Sequence, residues 1–340
     1  MIERMGARAE REERGGASRW WLWCLALLMA LIGRAAVAGD AGSYPNHPVR
    51  LIVPFGPGSG GDFLARLVGA RLGQALGEPI VVENRPGASG NLAMELAANA
   101  APDGYTLVLG NSGTNTVNPS LYRKLGFDPL GSFVPISKLT TVPSVIVAGP
   151  TSPVHTLAEL IDFARREPGK LDYAILGLGL SSHLAMVEFS TQAGIELTPI
   201  PYGTGGVLKA VLAGEVPLAV TAVEVVRKNV EAGRLRALAV TGDRRVPSLP
   251  DTATIAEQGF PGFDMQSWYG ILAPSGTPPR IVDRLNAELV RIVHEPDIAR
   301  QIVNAGQQVV GNSSDEFAAD IRAGLARGRK LVDTLGIRVD

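Results

Sequence analysis

Cysteine is nearly missing from this chain of 340 residues, in which Cys24 is the single one. A disulfide bond needs two thiols, and thiolate catalysis needs a cysteine beside the chemistry. Cys24 lies in an apolar run near the N-terminus, and the preceding Trp21-Leu22-Trp23 is too bulky for a lipoprotein signal. The sequence therefore excludes a disulfide framework, a thiol enzyme and a lipid anchor at this cysteine.

Histidine and clustered charge are scarce as well. The four histidines have no H-x-x-H spacing, which predicts no metal site. Basic residues form no block outside the N-terminus, and the formal net charge is -1, whereas nucleic-acid binding needs clustered Lys and Arg. The carboxylates show no paired arrangement for acid–base catalysis. We expect no cofactor, no metal, no nucleic-acid partner and no enzymatic activity. The histidines are His47, His155, His183 and His294.

Residues 1–38 have the pattern of an export signal. An arginine-rich leader, which also carries glutamates, precedes an apolar run over residues 20–32. This run is too short to cross about 30 Å of hydrocarbon. Ala36-Val37-Ala38 then has the small-x-small pattern that a signal peptidase accepts. The sequence predicts cleavage after Ala38 and a periplasmic location. An uncleaved signal anchor, and a start at Met5 instead of Met1, remain open.

Short apolar runs alternate with longer amphipathic stretches from residue 49 onward. With 46% hydrophobic residues, 40 Gly and 24 Pro, the chain has ample core material and many tight connections. The β-α-β-α-β order predicts an α/β fold, with mainly parallel sheets flanked by helices. The first predicted strands are 49–55, 79–83 and 105–110, and the first predicted helices are 62–76 and 92–100.

The alternation repeats through the middle of the chain, and two amphipathic helices close it. The second of these starts at Ser313, which has capping-box spacing with Glu316. Two extended stretches, 134–147 and 263–273, are candidates for crossings between two lobes. The crevice between such lobes is where ligands collect. The predicted organisation is a discontinuous first lobe of residues 39–138 and 266–340, and a second lobe of residues 139–265.

The sharpest local motif is the glycine-rich loop 56–61, which follows the first strand and matches G-x-G-x-x-G. Small residues at a helix N-terminus leave N–H groups pointing outward beside a partial positive charge, so the loop favours an anion. Glu83 lies where a dinucleotide-binding protein has its ribose-binding acid, so dinucleotide binding is an alternative. Pro57, which has no N–H for a phosphate, and the predicted export both weaken it.

Four further loops of this kind occur along the chain. One of them, 110–114, is close to the nucleophile motif G-x-S-x-G but has Thr114 in the last position, so a serine hydrolase is a second alternative. Each loop alone is consistent with nothing more than a tight turn. Five in one chain favour a shared anion site. The other three are 87–90, 177–183 and 202–206.

Several blocks, in order, closely resemble the Bug-type, or TctC-like, substrate-binding proteins of tripartite tricarboxylate transporters. The resemblance covers essentially the whole chain after the predicted signal, and it is more specific than any single glycine motif. The blocks are Val49-Arg50-Leu51-Ile52-Val53-Pro54-Phe55, Val82-Glu83-Asn84-Arg85-Pro86-Gly87-Ala88, Ala101-Pro102-Asp103-Gly104-Tyr105-Thr106-Leu107, Asn118-Pro119-Ser120-Leu121-Tyr122, Ser182-His183-Leu184-Ala185 and Ala273-Pro274-Ser275-Gly276-Thr277-Pro278.

The resemblance implies a two-lobed, type II-like periplasmic binding fold that closes over a small organic carboxylate. It also implies a monomer that delivers the ligand to the membrane permease of a tripartite tricarboxylate transporter. A binding protein that feeds a sensor kinase, and an exported α/β enzyme, remain alternatives. The ligand-binding residues that it implies are Gly58, Ser59, Gly60, Gly61, Asp62, Ser89, Ser112 and Thr114 in the first lobe, and Ser181, Ser182, His183, Tyr202, Thr204 and Thr221 in the second.

Departures from the family pattern bear on the ligand. Gly61 replaces the usual hydroxyl residue before Asp62, and Leu178 and Leu180 stand where small or polar residues are usual. Near Thr221, members that take amino acids have an aspartate that pairs with the ammonium. Without it, a buried ammonium would be unpaired at a cost of several kcal/mol. We therefore expect a carboxylate that has no amine and has an apolar part, and not an amino acid or citrate.

Overall fold

The computed structural model describes residues 44–203 and 205–336. The predicted signal peptide and its cleavage site, and the predicted ligand residue Thr204, lie outside these residues. In the described part, no helix combines the length and the apolar character needed to cross a membrane.

Eleven strands within the described residues form two sheets. The six-stranded sheet has the order β11-β4-β10-β3-β1-β2, and the five-stranded sheet has the order β7-β6-β8-β5-β9. The strands are β1 (Val49–Val53), β2 (Ile80–Asn84), β3 (Thr106–Asn111), β4 (Phe133–Val142), β5 (Ser144–Ala148), β6 (Asp172–Ile175), β7 (Thr198–Pro201), β8 (Leu218–Ala222), β9 (Arg236–Val240), β10 (Ser267–Pro274) and β11 (Gln308–Val309).

Both sheets are mixed, whereas the sequence predicted mainly parallel ones. In the six-stranded sheet, β1 pairs in parallel with β2 and β3, as the β-α-β-α-β pattern predicts. The antiparallel pairs come from β4 and β10, which run through the two stretches predicted as crossings. In the five-stranded sheet, β6 is parallel to β7 and β8, and β5 is antiparallel to β8 and β9. The α/β class itself is confirmed.

Helices connect the parallel strands, and a capping side chain marks the start of three of them. Ser59, Thr156 and Ser313 each accept a backbone N–H in the first turn, and Ser313 forms the predicted capping box with Glu316. The helices are α1 (Gly60–Leu76), α2 (Asn91–Ala98), α3 (Asn118–Leu121), α4 (Leu157–Arg166), α5 (Ser181–Ala193), α6 (Gly206–Ala213), α7 (Val223–Glu231), α8 (Pro279–Val293), α9 (Pro296–Asn304) and α10 (Ser314–Leu335).

Each sheet has its own hydrophobic core. On β5 every residue is buried, and successive side chains belong to different clusters: Ile146 packs on one face, and Val145 and Val147 pack on the other. On the six-stranded sheet, Trp268 of β10 meets Phe317 of α10 edge to face at 5.1 Å between ring centroids. Most core residues therefore pack around one sheet or the other, and a smaller buried cluster, in which Leu184 of α5 packs with Val117 and Leu331, joins the two.

The chain crosses between the sheets twice. The first crossing is Pro143, which alone separates β4 from β5. The second is the segment between β9 and β10, beginning at Thr241. The two crossings are hydrogen-bonded to each other, since the Ser144 N–H donates to the Thr241 hydroxyl at 3.0 Å and the Thr241 N–H donates to the Ser144 carbonyl at 2.9 Å. Pro143 lies within the predicted stretch 134–147, whereas Thr241 lies well before the predicted stretch 263–273, which overlaps only the end of the second crossing segment.

Helix α10 packs closely against the π-helical turn Gly113–Val117 that follows β3. A methyl group on Gly328 would overlap with the backbone carbonyl oxygen of Thr116, which cannot move aside as a side-chain end can. Gly324 lies against the side chain of the same threonine. Glycine at these two positions lets the C-terminal helix approach the end of β3, where the predicted ligand residues Ser112 and Thr114 lie.

We predict that Gly328→Ala lowers the free energy of unfolding by about 1–3 kcal/mol, because the added methyl group overpacks this contact. Gly69→Ala is the matched control, since Gly69 is also buried in a helix but its nearest neighbour would be at an ordinary 3.4 Å. The control should leave stability unchanged or raise it by up to about 1 kcal/mol. Urea unfolding measures both, and equal midpoints for the two variants would contradict the prediction.

Candidate functional site

Two sets of loops form the candidate site. The carboxyl ends of the parallel strands β1, β2 and β3 lie at one edge of the six-stranded sheet, and those of β6, β7 and β8 lie at one edge of the other. Loops beyond the carboxyl ends of parallel strands are where ligands bind in open α/β sheets. Every predicted ligand residue within the described parts of the chain lies in or beside one of these loops.

Asp62 organises the loop after β1. Its carboxylate accepts the Gly58 N–H at 2.9 Å and the Asn84 side-chain amide at 2.8 Å. The Arg66 guanidinium donates to it at 3.0 Å. Burial alone would raise the pKa of Asp62, but these hydrogen bonds outweigh burial and hold the pKa below its ordinary value. Asp62 is thus a buried, charge-compensated residue that fixes the loop.

The glycines of this loop differ in their exposure and in the use of their backbone N–H groups. The Gly58 N–H is used internally by Asp62, and the Asp62 N–H donates to the Ser59 hydroxyl at 3.2 Å. Gly60 is exposed at the start of α1, where backbone N–H groups have no intrahelical acceptor. Gly61 is buried, and a Cβ there would lie 2.5 Å from the Phe55 ring. A serine or threonine at position 61 would therefore require the Phe55 ring to shift.

Ser89 lies in the loop after β2, at the exposed turn before α2. Its backbone is left-handed, with φ of 54°, and such a strained conformation persists only where its surroundings fix it. The Tyr122 hydroxyl donates to the Ser89 hydroxyl at 2.7 Å, and the Asn118 amide donates to the Ser89 carbonyl at 3.2 Å. The Asn118–Tyr122 block of the family resemblance thus holds Ser89 in place.

The loop after β3 places its two predicted ligand residues differently. Ser112 shares a 2.8 Å hydrogen bond with the Ser267 hydroxyl, which is not a base that could activate a nucleophile. Thr114 is fully buried, and its hydroxyl donates to the Asn115 side chain at 2.8 Å. Ser112 therefore lies nearer to the cleft, and Thr114 supports the turn from inside.

His183 orders the loop after β6. The Gly179 N–H donates to Nδ1 of His183 at 3.0 Å, and the ring is buried. Burial lowers the pKa of His183 to about 4, so the imidazole is neutral at neutral pH. Ser182 is also buried, and Ser181, the first residue of α5, is half-buried. His183 thus fixes the conformation of the loop, and Ser181 is more accessible than Ser182.

Three leucines make this same loop apolar. Leu176, Leu178 and Leu180 are 42%, 54% and 40% exposed, respectively. Exposed apolar side chains grouped on one loop are typical of binding surfaces. They lie on the same loop as Ser181.

The remaining described residues of the second set are Tyr202 and Thr221. Tyr202 is half-buried after β7, and its N–H donates to the Ile175 carbonyl at 2.9 Å. Thr221 is half-buried near the end of β8, paired with Val145. Both lie at the same sheet edge as the leucine loop.

Three residues that no sequence motif singled out lie where the two sets of loops approach each other. They are Tyr269, Gln307 and Glu224. The Gln307 side chain donates to the Gly60 carbonyl at 3.1 Å, and the Tyr269 hydroxyl lies beside the same glycine. Glu224, in the first turn of α7 after β8, lies against Gly306 from the opposite side. A residue at Gly306 with a Cβ would place that atom 2.7 Å from a Glu224 carboxylate oxygen.

A cavity of about 570 Å³ extends from these loops towards the crossings. Ser112 and Ser181, one from each set of loops, both line it. Its far end is formed by the crossing segment and by α10, where Lys138 pairs with Asp320. Among the predicted ligand residues that the structure describes, only these two serines line it, so the cavity lies mainly between the crossing segment and α10 and not at the Gly60 loop.

This geometry gives no support to the two alternatives, dinucleotide binding and a serine hydrolase. Glu83, the candidate ribose-binding acid, forms ion pairs with Arg50 and Arg85 and is therefore already engaged. Ser112 has a serine as its partner. Within residues 44–203 and 205–336, no group of three or more His, Cys, Asp or Glu side chains is arranged to hold a metal ion.

Comparison with known proteins is consistent across the chain. The model of the tripartite tricarboxylate transporter family receptor, TctC, matches residues 64–337. A Pseudomonas sp. (strain P51) protein from the tcbD-tcbE intergenic region is 35% identical over 310 residues, which covers 91% of each chain. The structure of R. palustris Rpa4515 with adipate is 36% identical, with a TM-score of 0.74, and covers 87% of this chain and 99% of that one. The periplasmic binding protein BugD is 32% identical, with a TM-score of 0.70 and coverage of 87% and 99%.

We predict that His183 makes the folded state lose stability as the pH falls from about 6.5 to about 4. The unfolded chain takes up a proton at the ordinary histidine pKa, whereas the folded chain resists it until about pH 4. Compared with His183→Asn, which keeps an acceptor for Gly179 but does not titrate there, the slope should be steeper by up to about 1.4 kcal/mol per pH unit. Urea unfolding at a series of pH values measures this, and parallel slopes would contradict it.

Proposed function

Since the chain belongs to the tripartite tricarboxylate transporter receptor family, a family of solute-binding proteins and not of enzymes, we propose that it captures a small organic carboxylate in the periplasm. The ligand is delivered to the membrane permease of a tripartite tricarboxylate transporter by a monomeric receptor. Two features support the location: the export pattern of residues 1–38, and the similarity to BugD, a periplasmic binding protein.

The observation that carries this proposal is the pair of facing loop sets. The exposed N-terminus of α1 at Gly60 offers backbone N–H groups and the positive end of a helix dipole. Hydroxyls of Ser89, Ser112 and Ser181 lie on neighbouring loops of the same two edges. These groups bind a carboxylate by hydrogen bonds without a neutralising cation. Adipate in Rpa4515 is a ligand of the same chemical class.

The two lobes that close on the ligand are residues 39–138 with 266–340, and residues 139–265. Each contains one sheet, and the backbone would bend where the chain crosses between the sheets, at Pro143 and in the segment between β9 and β10. A hinge of this kind absorbs a closure motion in a few residues while the cores stay intact.

The leucines of the loop after β6 support a ligand with an apolar part. They expose carbon to water, and a hydrocarbon segment of the ligand would remove this surface from solvent. Thr221 has no charge to pair with an α-ammonium group, so amino acids are disfavoured. The ligand that fits is a carboxylate that has no amine and has an aliphatic or aromatic body.

We expect native mass spectrometry of the freshly purified protein to show a bound organic acid. In a thermal-shift panel, hexanoate and benzoate should raise the melting temperature, and glutamate and citrate should not. Ligand at about 100 times its dissociation constant adds about 2.7 kcal/mol to stability. Large shifts with glutamate or citrate, and none with the apolar acids, would contradict the proposed ligand class.

We predict that Leu178→Ser weakens hexanoate binding about 5- to 30-fold, because most of one side chain's apolar contact is lost. Leu130→Ser is the matched control, since Leu130 is 52% exposed and lies in the segment before β4, away from both sets of loops. Calorimetric titration of both variants gives the dissociation constants. If the two variants bind hexanoate equally, the leucine loop is not part of the site.

A further inference from the structure

The hydroxyl group of Tyr269 lies at the start of α1, although Tyr269 belongs to none of the glycine-rich loops. The residue is in strand β10, where it pairs with Asn111 of β3. The preceding Trp268 packs against α10, and because successive side chains of a strand point to opposite faces, Tyr269 faces α1. Its ring meets the Phe55 ring edge to face at 5.6 Å between centroids, and a Cβ at Gly60 would lie 3.7 Å from its hydroxyl oxygen. The hydroxyl is thus held beside the proposed carboxylate site.

This hydroxyl forms no hydrogen bond with any other residue in the described part of the chain. The neighbouring Gln307 side chain is used at both ends, since its oxygen accepts the Thr140 hydroxyl at 2.8 Å and its nitrogen donates to the Gly60 carbonyl at 3.1 Å. The Tyr269 oxygen is not one of the fully buried polar atoms that lack a partner, so it is in contact with the solvent of the cleft. A tyrosine hydroxyl in such surroundings usually has a hydrogen-bond partner.

The Tyr269 hydroxyl is a donor at neutral pH. Burial first, and then the negative charge of Glu224, raise the pKa of Tyr269 to about 12, so the phenol keeps its proton. Neither acid beside the cleft accepts this proton in a hydrogen bond. The Glu224 carboxylate is bonded by its own backbone N–H, and the Asp62 carboxylate by Gly58, Asn84 and Arg66. The hydroxyl therefore remains available to an acceptor that enters the cleft.

We infer that Tyr269 is a ligand-binding residue whose hydroxyl donates a hydrogen bond to the ligand carboxylate, beside the N–H groups at the start of α1. This inference rests on the proposed carboxylate-binding function. A carboxylate has two oxygens with about four acceptor positions, whereas the backbone N–H groups of a helix start approach from one side only. The Tyr269 hydroxyl approaches the same place from β10, the strand that follows the second crossing. Donors from two directions fix the orientation of the carboxylate as well as its position.

Tyr269→Phe tests this inference, because it removes the hydroxyl and keeps the ring that packs against Phe55. Since the hydroxyl has no partner in the described protein, the ligand-free variant should have the melting temperature of the wild type. Tyr105→Phe is the matched control. Tyr105 directly precedes β3, at the opposite edge of the same sheet, and stacks on His47 there. Circular dichroism and thermal unfolding without ligand check the fold of both variants.

Calorimetric titration should show that Tyr269→Phe binds hexanoate and benzoate about 10- to 100-fold more weakly than the wild type, the effect of losing one hydrogen bond to a charged group. The loss should be similar for the two acids, because the carboxylate is the group that they share. Tyr105→Phe should bind both acids like the wild type.

Three outcomes would overturn the role of Tyr269 and leave the proposed function standing. They are unchanged binding by Tyr269→Phe, a loss confined to one of the two acids, and a loss accompanied by a lower melting temperature of the ligand-free variant, which would indicate a structural role. If the wild-type protein binds neither acid and native mass spectrometry finds no organic acid, the proposed function fails and this inference fails with it.

Discussion

The buried carboxylate of Asp62 is the group on which the wall around β1 depends. The preceding loop is built from glycine, proline and serine, which have little side-chain surface to hold one shape. Asp62 gathers the Gly58 N–H, the Asn84 amide and the Arg66 guanidinium around one pair of oxygens. The loop, the end of β2 and the start of α1 are thereby fixed together. A loop fixed before binding loses less conformational entropy when the ligand arrives.

Hydrogen bonds of the same kind fix the other loops. His183 accepts the Gly179 N–H as a neutral imidazole, and Tyr122 and Asn118 hold Ser89 in its left-handed conformation. These polar side chains act on the backbone behind the cleft surface. The groups that we propose for the ligand are the exposed helix start at Gly60 and a small number of hydroxyls. Binding chemistry and loop stability are therefore divided between different residues of the same motifs.

Two acidic residues beside the cleft have contrasting environments. Asp62 is surrounded by donors, so its charge is neutralised locally and its pKa is lowered. Glu224 has no such partner among the described residues, and burial raises its pKa. The same functional group is thus stabilised as a charge in one loop and disfavoured as a charge in the other.

The sequence by itself determined what depends on neighbouring residues along the chain. Apolar periodicity located β1, β2, β3, α1 and α10, the Ser313–Glu316 spacing located a capping box, and the ordered blocks identified the family. The cleft walls were predictable for the same reason, because loops at the carboxyl ends of parallel strands meet at one edge whatever their sequence.

Tertiary structure alone decided which groups of these loops remain available. It turned the Gly58 N–H inward to Asp62, buried Thr114, and placed the antiparallel strands β4 and β10 in the six-stranded sheet. It also brought Tyr269, Gln307 and Glu224 to the cleft from three distant parts of the chain. Local patterns carry no information about such contacts, because the distances between remote segments are set by how the two sheets and their helices pack together.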